Sequence, residues 1–453
     1  MTPTTAGFAH SRDEFQDLVE RTLALAREQG ASDAVAEVSE GAGLSVSARL
    51  GKLENVERNR DKSLGVSIYL GQRRGHASTS DFSDKALRDT VRAAYDIARF
   101  TAEDPCAGLP DADDLMLAPA PDLDLFHPWA IDAQQATELA LRCEAAALQT
   151  DKRITNSEGA AVSAQQSHFF AGNSRGFRGG YASSRHSISV APIAGRGAGM
   201  QRDAWYSSER CAADLASPEA VGRYAAERAL SRLKARKVAT AEVPILFEST
   251  LAAGLLGALV QATSGGALYR KATFLVDSLG KPILASHIDV EEDPFTPRGK
   301  GSAPYDDEGV RTCARNVVSG GVLQGYFLSS YSARKLGMKT TGHAGGSHNL
   351  VMKSRATAPG DSLAVMLKRL HRGLFVTELM GQGVNYVTGD YSRGASGYWV
   401  ENGEIAFPVE EVTIAGHLPQ MFQDIVAIGA DAYTTGTKTI GSVLIGRMKL
   451  AGT

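Results

Sequence analysis

The chain is poor in cysteine and contains no long hydrophobic run. Its four cysteines, Cys106, Cys143, Cys211 and Cys313, are widely separated and form no C-x-x-C pair. This scarcity argues against a disulfide framework or a zinc ribbon and is typical of free thiols in a reducing compartment. The most apolar stretch, 251–262, is far too short to span a bilayer.

A strong net charge and an N-terminal targeting pattern are also missing. The formal net charge is −3 over 453 residues, so the chain lacks the basic surface that a nucleic-acid binder needs. The arginines between 173 and 202 are interpreted as solvated strand and loop residues. Because residues 1–15 contain no basic segment followed by an apolar run, we expect no secretory signal. We therefore expect a cytoplasmic protein that binds neither nucleic acid nor membrane.

The hydrophobic periodicity predicts an α+β fold with two domains. A mixed domain of helices and antiparallel meanders is predicted over 1–236, and a β-dominated domain over 237–453. The order helix, meander, helix occurs twice in the first domain, at 11–100 and at 132–236. Without a residue-level repeat, this order is compatible with an internal duplication and equally with separate origins.

Local signals mark several element ends. Ser11, with Glu14 three residues later, predicts a helix start with a capping box. The dipeptide Asn402-Gly403 between two alternating segments predicts a two-residue hairpin turn.

Histidines and carboxylates provide the first candidates for chemistry. The run GHAGGSHN at 342–349 holds His343 and His348, but no carboxylate lies between them. The helical zinc pattern instead places two histidines four residues apart with a glutamate between them, so we expect no metal at this pair. The acidic segment IDVEEDPF at 288–295 is interpreted as a solvated loop, with a weak hard-cation site as the alternative.

Glycine-rich segments are the second kind of candidate. SGGALYRK at 264–271 lacks the P-loop spacing, and the glycines of 381–397 are too spread for a dinucleotide fingerprint. No G-x-S-x-G motif is present. These glycines favour tight turns, close backbone approach or the docking of an extended peptide. The residue patterns alone do not identify an active site.

Longer motifs in the C-terminal half resemble a known family. They are FESTLAAGLLGALVQATSGGALYRKATFLVDSLGKPI, PRGKGSAPYDDEGVRT, SYSARKLGMKTTGHAGGSHNL and TGDYSRGASGYWVENGEIAFPVEEVTIAG. In this order they resemble the TldD/TldE peptidase family and, within it, the TldE branch, also called PmbA. The resemblance is densest over 243–453 and extends in layout over the whole chain.

The resemblance implies a cytoplasmic zinc peptidase made of one TldD and one TldE subunit, which cleaves unfolded or leader peptides. In the TldD branch, an H-E-x-x-x-H helix and a later cysteine hold the zinc, and the glutamate is suited to act as base. Alignment on the G-L-x-G that follows this motif places its first histidine at Glu248, its glutamate at Ser249 and its second histidine at Ala253. The segment 429–446, where the TldD branch has its cysteine, contains no cysteine. The resemblance therefore implies that this chain holds no zinc or other cofactor and that its TldD-type partner holds the zinc.

A subunit of this kind would complete the substrate channel. We expect channel or interface residues in the two glycine-rich segments, at Ser264, Gly265, Gly266, Tyr269, Arg270, Gly342, His343, Gly345, Gly346, His348 and Asn349. We also expect the isolated chain to form a homodimer. Two alternatives stay open: an independently active hydrolase with an unrecognised site, and a non-enzymatic protein-binding or regulatory module.

Overall fold

A computed structural model describes residues 7–452 of the chain. The first six residues, which belong to the segment searched for a secretory signal, lie outside the described residues. The helices are α1 (Arg12–Glu28), α2 (Asp84–Phe100), α3 (Ala133–Thr150), α4 (Pro218–Ser231), α5 (Ser249–Ala262), α6 (Gly265–Tyr269), α7 (Ser330–Leu336), α8 (Leu363–Leu370) and α9 (Leu418–Gln423). Within 7–452, no helix is both long enough and apolar enough to cross a membrane.

The strands divide into three sheets. They are β1 (Asp33–Arg49), β2 (Lys52–Leu70), β3 (Arg73–Thr79), β4 (Ile154–Asn173), β5 (Arg178–Gly179), β6 (Ala182–Ala194), β7 (Gln201–Arg202), β8 (Trp205–Glu209), β9 (Ala241–Phe247), β10 (Ile288–Asp293), β11 (Arg315–Ser319), β12 (Val322–Leu323), β13 (Asn349–Ser354), β14 (Gly373–Met380), β15 (Asp390–Glu401), β16 (Glu404–His417), β17 (Ile425–Ile428), β18 (Tyr433–Thr435), β19 (Lys438–Ile440) and β20 (Val443–Ala451). This mixture of helices and mainly antiparallel sheets confirms the predicted α+β class.

Two compact units form along the chain. Among the described residues, the first comprises 7–231 together with Pro304–Arg311, and the second comprises Arg232–Ala303 together with 312–452. The short segment 304–311 therefore belongs to the first unit, although both of its sequence neighbours belong to the second.

A single antiparallel sheet organises the first unit. Its strands run in the order β3-β2-β1-β4-β6-β7, with β5 paired to β4 and β8 paired to β6. Even-numbered residues of β1 such as Ala36, Val38 and Val46 are buried, whereas most odd-numbered ones are partly exposed. This alternation leaves one face apolar under the helices and the other face polar and open.

Helix α1 begins where the sequence predicted. Ser11 is its N-cap and accepts the backbone N–H of Glu14, while the Glu14 carboxylate accepts the backbone N–H of Ser11 at 2.6 Å. Both halves of the capping box are present, so this prediction is confirmed. The apolar side of α1, including Phe15 and Val19, then packs in the core with β1 and β4.

Two six-stranded sheets build the second unit. One has the order β12-β11-β10-β13-β19-β18, and the other has the order β16-β15-β14-β9-β20-β17. An additional pairing of β16 with β20 closes the second sheet on itself. The hairpin between β15 and β16 turns at Asn402 and Gly403, whose φ values of +53° and +78° fit the predicted two-residue turn.

A buried carboxylate fixes the tip of the longest hairpin. Glu144 of α3 is 1% exposed, and its two oxygens accept the backbone N–H groups of Leu50 and Gly51, both at 2.9 Å. These two residues form the turn between β1 and β2 with positive φ. Helix α3 therefore holds the hairpin end through one side chain.

Replacing Glu144 with Gln should destabilise the first unit by about 1–3 kcal/mol, because the amide nitrogen cannot accept the second N–H. Glu138→Gln, on the exposed side of the same helix, should change stability by less than about 0.5 kcal/mol. Urea unfolding of both variants measures the difference. Equal stabilities would contradict the role of Glu144.

Candidate functional site

One extended segment, 326–328, lies between the two glycine-rich segments selected from the sequence. On one side, Gly265 donates its backbone N–H to the carbonyl oxygen of Phe327 at 2.8 Å. On the other side, His343 donates its backbone N–H to the carbonyl oxygen of Leu328 at 3.3 Å. The fold therefore brings both segments to the same stretch of backbone.

The GHAGGSHN loop turns inward. Gly342, Gly345 and Gly346 have φ values of +71°, +100° and +118°, which L side chains rarely adopt. These turns bury His343 and His348, each 6% exposed, with ring centroids 5.1 Å apart. Both imidazoles consequently face the interior of the second unit.

Both histidines converge on Glu292. This carboxylate is fully buried, and its Oε1 accepts the backbone N–H of His348 at 2.8 Å. Its Oε2 accepts Nε–H of Arg315 at 2.8 Å and lies 2.9 Å from Nε2 of His343. One carboxylate thus connects β10, β11 and the glycine-rich loop.

The segment around Glu292 is not the solvated loop that was predicted. Ile288–Asp293 forms β10, which pairs with β11 on one side and β13 on the other. Ile288, Val290 and Glu292 alternate onto its buried face. The prediction was wrong because Arg315 supplies the charge that permits burial of a carboxylate. The alternation was visible in the sequence, but the partner was not.

Arg315 is the permanent cation of this cluster, because a guanidinium is not deprotonated in proteins. Burial by itself raises the pKa of Glu292, but the hydrogen bond from His343, the charge that His343 carries when protonated, the Arg315 charge and the His348 N–H outweigh it and lower the pKa to about 2. Burial lowers the pKa of His343, despite the opposing influence of Glu292, and the Arg315 charge lowers it further. The cluster is therefore a carboxylate–guanidinium pair beside a neutral imidazole.

Glu292, His343 and His348 have the residue types of a metal site, with potential ligand atoms within 4.8 Å of one another. A divalent ion does not fit this arrangement, because the positively charged guanidinium of Arg315 already binds the same carboxylate oxygen that the ion would need. Arg315 Nη2 also lies 3.2 Å from Nε2 of His343. The place of a metal is thus taken by a protein cation.

His348 is also poorly disposed for metal binding. Its Nδ1 lies 3.3 Å from the carbonyl oxygen of Gly301, and its Nε2 lies 3.1 Å from that of Gly342. Carbonyl oxygens only accept hydrogen bonds, so the one N–H of a neutral imidazole is directed at one of them, which leaves at most one ring nitrogen of His348 for a metal.

The helix aligned with the zinc motif is α5. Glu248 is its N-cap residue, and one carboxylate oxygen accepts the hydroxyl of Thr250 at 2.7 Å. Ser249 begins the helix, and Ala253 is 6% exposed within the apolar core. A carboxylate, a hydroxyl and a methyl group do not provide the imidazole and thiolate ligands of a zinc site, so these positions do not fit zinc.

A groove runs along the exposed side of α5. Its cavity of about 110 Å³ is bordered by Gly254 and Leu255 of the helix and by Tyr386 and Tyr391 near the β14–β15 connection. A Cβ atom at Gly254 would meet nothing within 4 Å, so the helix surface is open there. We call this feature the α5 groove.

Helices α6 and α7 pack closely and present a mixed surface. A Cβ atom at Gly265 would lie 2.2 Å from Oγ of Ser332, so only glycine permits this approach. On the outer surface, the rings of Tyr269 and Tyr331 are in edge contact. Arg270 lies over the ring of Tyr269, and Lys335 lies over the ring of Tyr331. We call these four residues the α6–α7 patch.

The remaining predicted residues have local structural contacts. Ser264 is the N-cap of α6 and accepts the N–H of Ala267 at 3.4 Å, and Gly266 in the first turn is partly exposed. Asn349 opens β13, and its Oδ1 accepts the N–H of Gly301 at 2.8 Å.

Replacing Glu292 with Gln should destabilise the protein by about 3 kcal/mol near neutral pH, because the variant leaves Arg315 buried without a counter-charge. The depressed pKa adds a pH signature. Wild-type stability should fall as the pH drops from about 4.5 to about 2, because the unfolded chain binds a proton at Glu292 before the folded chain does. The difference in free energy of unfolding between the wild type and the variant should therefore decrease as the pH falls from about 4.5 to about 2.

Urea unfolding at a series of pH values measures this difference in the free energy of unfolding. Glu291→Gln is the matched control, since Glu291 pairs with Lys353 at the surface and should contribute less than about 1 kcal/mol. If the difference between wild type and Glu292→Gln stays constant as the pH falls from about 4.5 to about 2, the role assigned to Glu292 is contradicted.

Comparison with known proteins relates this architecture to one family. Residues 34–98, 126–233 and 240–452 match, in order, domain 1, the central domain and the C-terminal domain of the PmbA/TldA metallopeptidases. The chain is 50% identical over 442 residues to Metalloprotease PmbA of Escherichia coli O157:H7, covering 97% of each chain. It is 46% identical over 449 residues to a Metalloprotease PmbA homolog of Haemophilus influenzae, covering 99% of this chain and 98% of that one.

Solved structures share the fold. A crystal structure from Bacteroides thetaiotaomicron superposes with a TM-score of 0.91 at 26% identity, covering 97% of this chain and 99% of the other. TldE from Thermococcus kodakarensis superposes with a TM-score of 0.83 at 20% identity, covering 96% and 100%. Because the family domains follow in order and a close relative covers nearly the whole length, the chain belongs to the PmbA (TldE) branch of the PmbA/TldD metallopeptidase family.

Proposed function

We propose that this chain is the TldE-type subunit of a cytoplasmic TldD/TldE metallopeptidase that cleaves unfolded or leader peptides. In this assembly a TldD-type chain carries the zinc, and this chain completes the substrate channel. The observation that carries the proposal is the composition of α5, where Glu248, Ser249 and Ala253 occupy the family's zinc-motif positions without forming a zinc ligand set.

The chemistry of peptide hydrolysis supports this division of labour. A zinc ion supplies a Lewis acid and an activated water. Among residues 7–452, the one cluster with metal-ligand residue types is Glu292, His343 and His348, and its carboxylate already pairs with Arg315. The zinc and the general base are therefore assigned to the other subunit.

The contribution of this chain would be to bind and orient the peptide. The α5 groove offers a small cavity lined by apolar residues of the helix, by two tyrosines and by Gln382 and Arg393. The α6–α7 patch offers two partly exposed tyrosines beside the exposed cations Arg270 and Lys335, and tyrosine and arginine are enriched in protein interfaces. The buried loop 342–349 would act indirectly, by holding the segment that links it to α6.

The purified chain alone should contain no stoichiometric zinc and should not cleave an unfolded peptide, because it lacks a ligand set. Mixed with the TldD-type chain of the same organism, it should form a heterodimer that cleaves the peptide and loses activity on chelation. Elemental analysis, light scattering and peptide cleavage measure these properties. In the absence of the partner, light scattering should show a homodimer.

Each contrary result has a definite meaning. Stoichiometric zinc in the chain alone, with activity that is lost on chelation, would establish an independent hydrolase. Stable association with the partner that leaves its cleavage rate unchanged would instead favour a regulatory binding module.

The α6–α7 patch can be tested within the mixture. Tyr269→Ala and Arg270→Ala should each reduce cleavage or heterodimer affinity about tenfold, as expected for an aromatic or arginine residue at an interface centre. Lys281→Ala, another exposed position in the second unit, is the matched control. If both variants keep wild-type affinity and cleavage rate, the patch lies outside the interface and the channel.

A further inference from the structure

A cavity of about 340 Å³ opens over the middle of the first unit's sheet, away from every residue assigned to peptide hydrolysis above. Its floor consists of Ala42 and Leu44 of β1 and Ala164 of β4. Leu44 pairs directly with Ala164, and both belong to the helix-covered face of the sheet. The floor is therefore aliphatic.

Two arginines of β2 form one side of this cavity. Arg58 pairs with Leu44 and Arg60 with Ala42, so both side chains project on the same face as the floor. Both arginines are exposed. Arg58 makes no hydrogen bond or ion pair with residues 7–452, and Arg60 donates Nη2–H to the carbonyl oxygen of Gly7 at 3.2 Å. The two guanidinium groups thus border the cavity without a carboxylate partner.

The acidic residues near this cavity are engaged elsewhere. Within residues 7–452, the lining contains no aspartate or glutamate. Glu57 and Asp61 of β2 project from the opposite face, because side chains alternate along a strand. Glu40, further along β1, accepts two backbone N–H groups of the segment before α1, and Asp132 caps the start of α3. The side formed by the arginines is consequently positive.

His186 of β6 forms the opposite side. The residue is 1% exposed, and its Nε2 lies 2.8 Å from the carbonyl oxygen of His127, so Nε2 carries the proton. Nδ1 then has the lone pair, and it has no hydrogen-bond partner within residues 7–452. Burial lowers the pKa of His186, which keeps the ring neutral. This side of the cavity therefore presents a hydrogen-bond acceptor without a protein donor.

The two sides are separated by the width of a short peptide. Arg58, Leu44, Ala164 and His186 are consecutive partners across β2, β1, β4 and β6. Three strand spacings separate Arg58 from His186, or about 14 Å between their Cα atoms. An extended segment of about three residues has a matching length.

We propose that this cavity binds a short peptide segment that carries a carboxylate group. The carboxylate would pair with Arg58 and Arg60, a backbone N–H of the same segment would donate to His186, and aliphatic atoms would cover the floor. An organic cation would be repelled by the arginines, and a metal ion would find a single imidazole nitrogen and no carboxylate. The inference goes beyond the proposed function, since it requires neither zinc nor a second subunit.

The test uses the isolated full chain and saturation-transfer NMR titration at low ionic strength, where exposed charges are least screened. Nα-acetyl-Ala-Glu-Ala amide should bind at least about fivefold more tightly than the same peptide with glutamine in place of glutamate. A second pair, Nα-acetyl-Ala-Ala-Ala and its C-terminal amide, asks whether a terminal carboxylate is also bound. A preference within either pair supports the proposal and identifies the source of the carboxylate.

Variants assign the effect to this cavity. Arg58→Gln and Arg60→Gln should each reduce the preference for the charged probe and should abolish it together. Arg88→Gln, an exposed position on α2, removes the same charge and should leave the preference unchanged. His186→Phe should weaken both members of a pair about fivefold but keep the preference, because the lost acceptor contacts the uncharged backbone. Thermal unfolding checks that each variant remains folded.

Absence of a charged-over-neutral preference in both probe pairs would overturn the proposal. A folded double variant of Arg58 and Arg60 that retains the wild-type preference would overturn it as well, since the carboxylate would then bind elsewhere. Unchanged affinities in folded His186→Phe would likewise reject this cavity as the site. These results do not involve peptide cleavage, so they can be separated from failure of the proposed function.

Discussion

The buried pair of Glu292 and Arg315 is the constraint on which the second unit's central cluster depends. Taking a carboxylate and a guanidinium out of water costs several kcal/mol per ion, and the cost is offset only when geometry and hydrogen bonding are good. Here one carboxylate oxygen accepts from Arg315, and the other accepts the backbone N–H of His348. The glycine-rich loop is thereby tied to β10 and β11.

The same constraint decides what the histidines can do. His343 and His348 hold the loop in place. The His343 ring contacts Glu292, whereas His348 binds Glu292 through its backbone N–H and contacts the carbonyl oxygen of Gly342 through its ring. The positions of α5 that align with the family's zinc motif likewise hold residues that do not fit zinc. The proposed function therefore depends on surfaces of this chain, namely the α5 groove and the α6–α7 patch.

The first unit presents a different kind of surface. One face of its long sheet is covered by helices, and the opposite face displays mainly polar and partly exposed side chains.

The sequence alone was sufficient to predict helix caps and turns, because contacts between residues close in the chain determine them. The capping box at Ser11 and Glu14 and the turn at Asn402 and Gly403 depend on contacts within a few residues, so the sequence alone predicted them. The α+β class followed from periodicity, and the family followed from long ordered motifs. Ala253 likewise excludes an imidazole at its motif position by residue type alone, because a methyl side chain has no ligand atom in any fold.

The cluster around Glu292 was decided only by tertiary structure. Glu292 and His343 are 51 positions apart, and Glu292 and Arg315 are 23 apart, so no local pattern records their contact. The acidic neighbours of Glu292 made its segment look solvated, although strand alternation directs this one carboxylate inward. Whether a charged side chain faces water or a buried partner depends on which distant strand pairs beside it, and sequence distance does not contain that information.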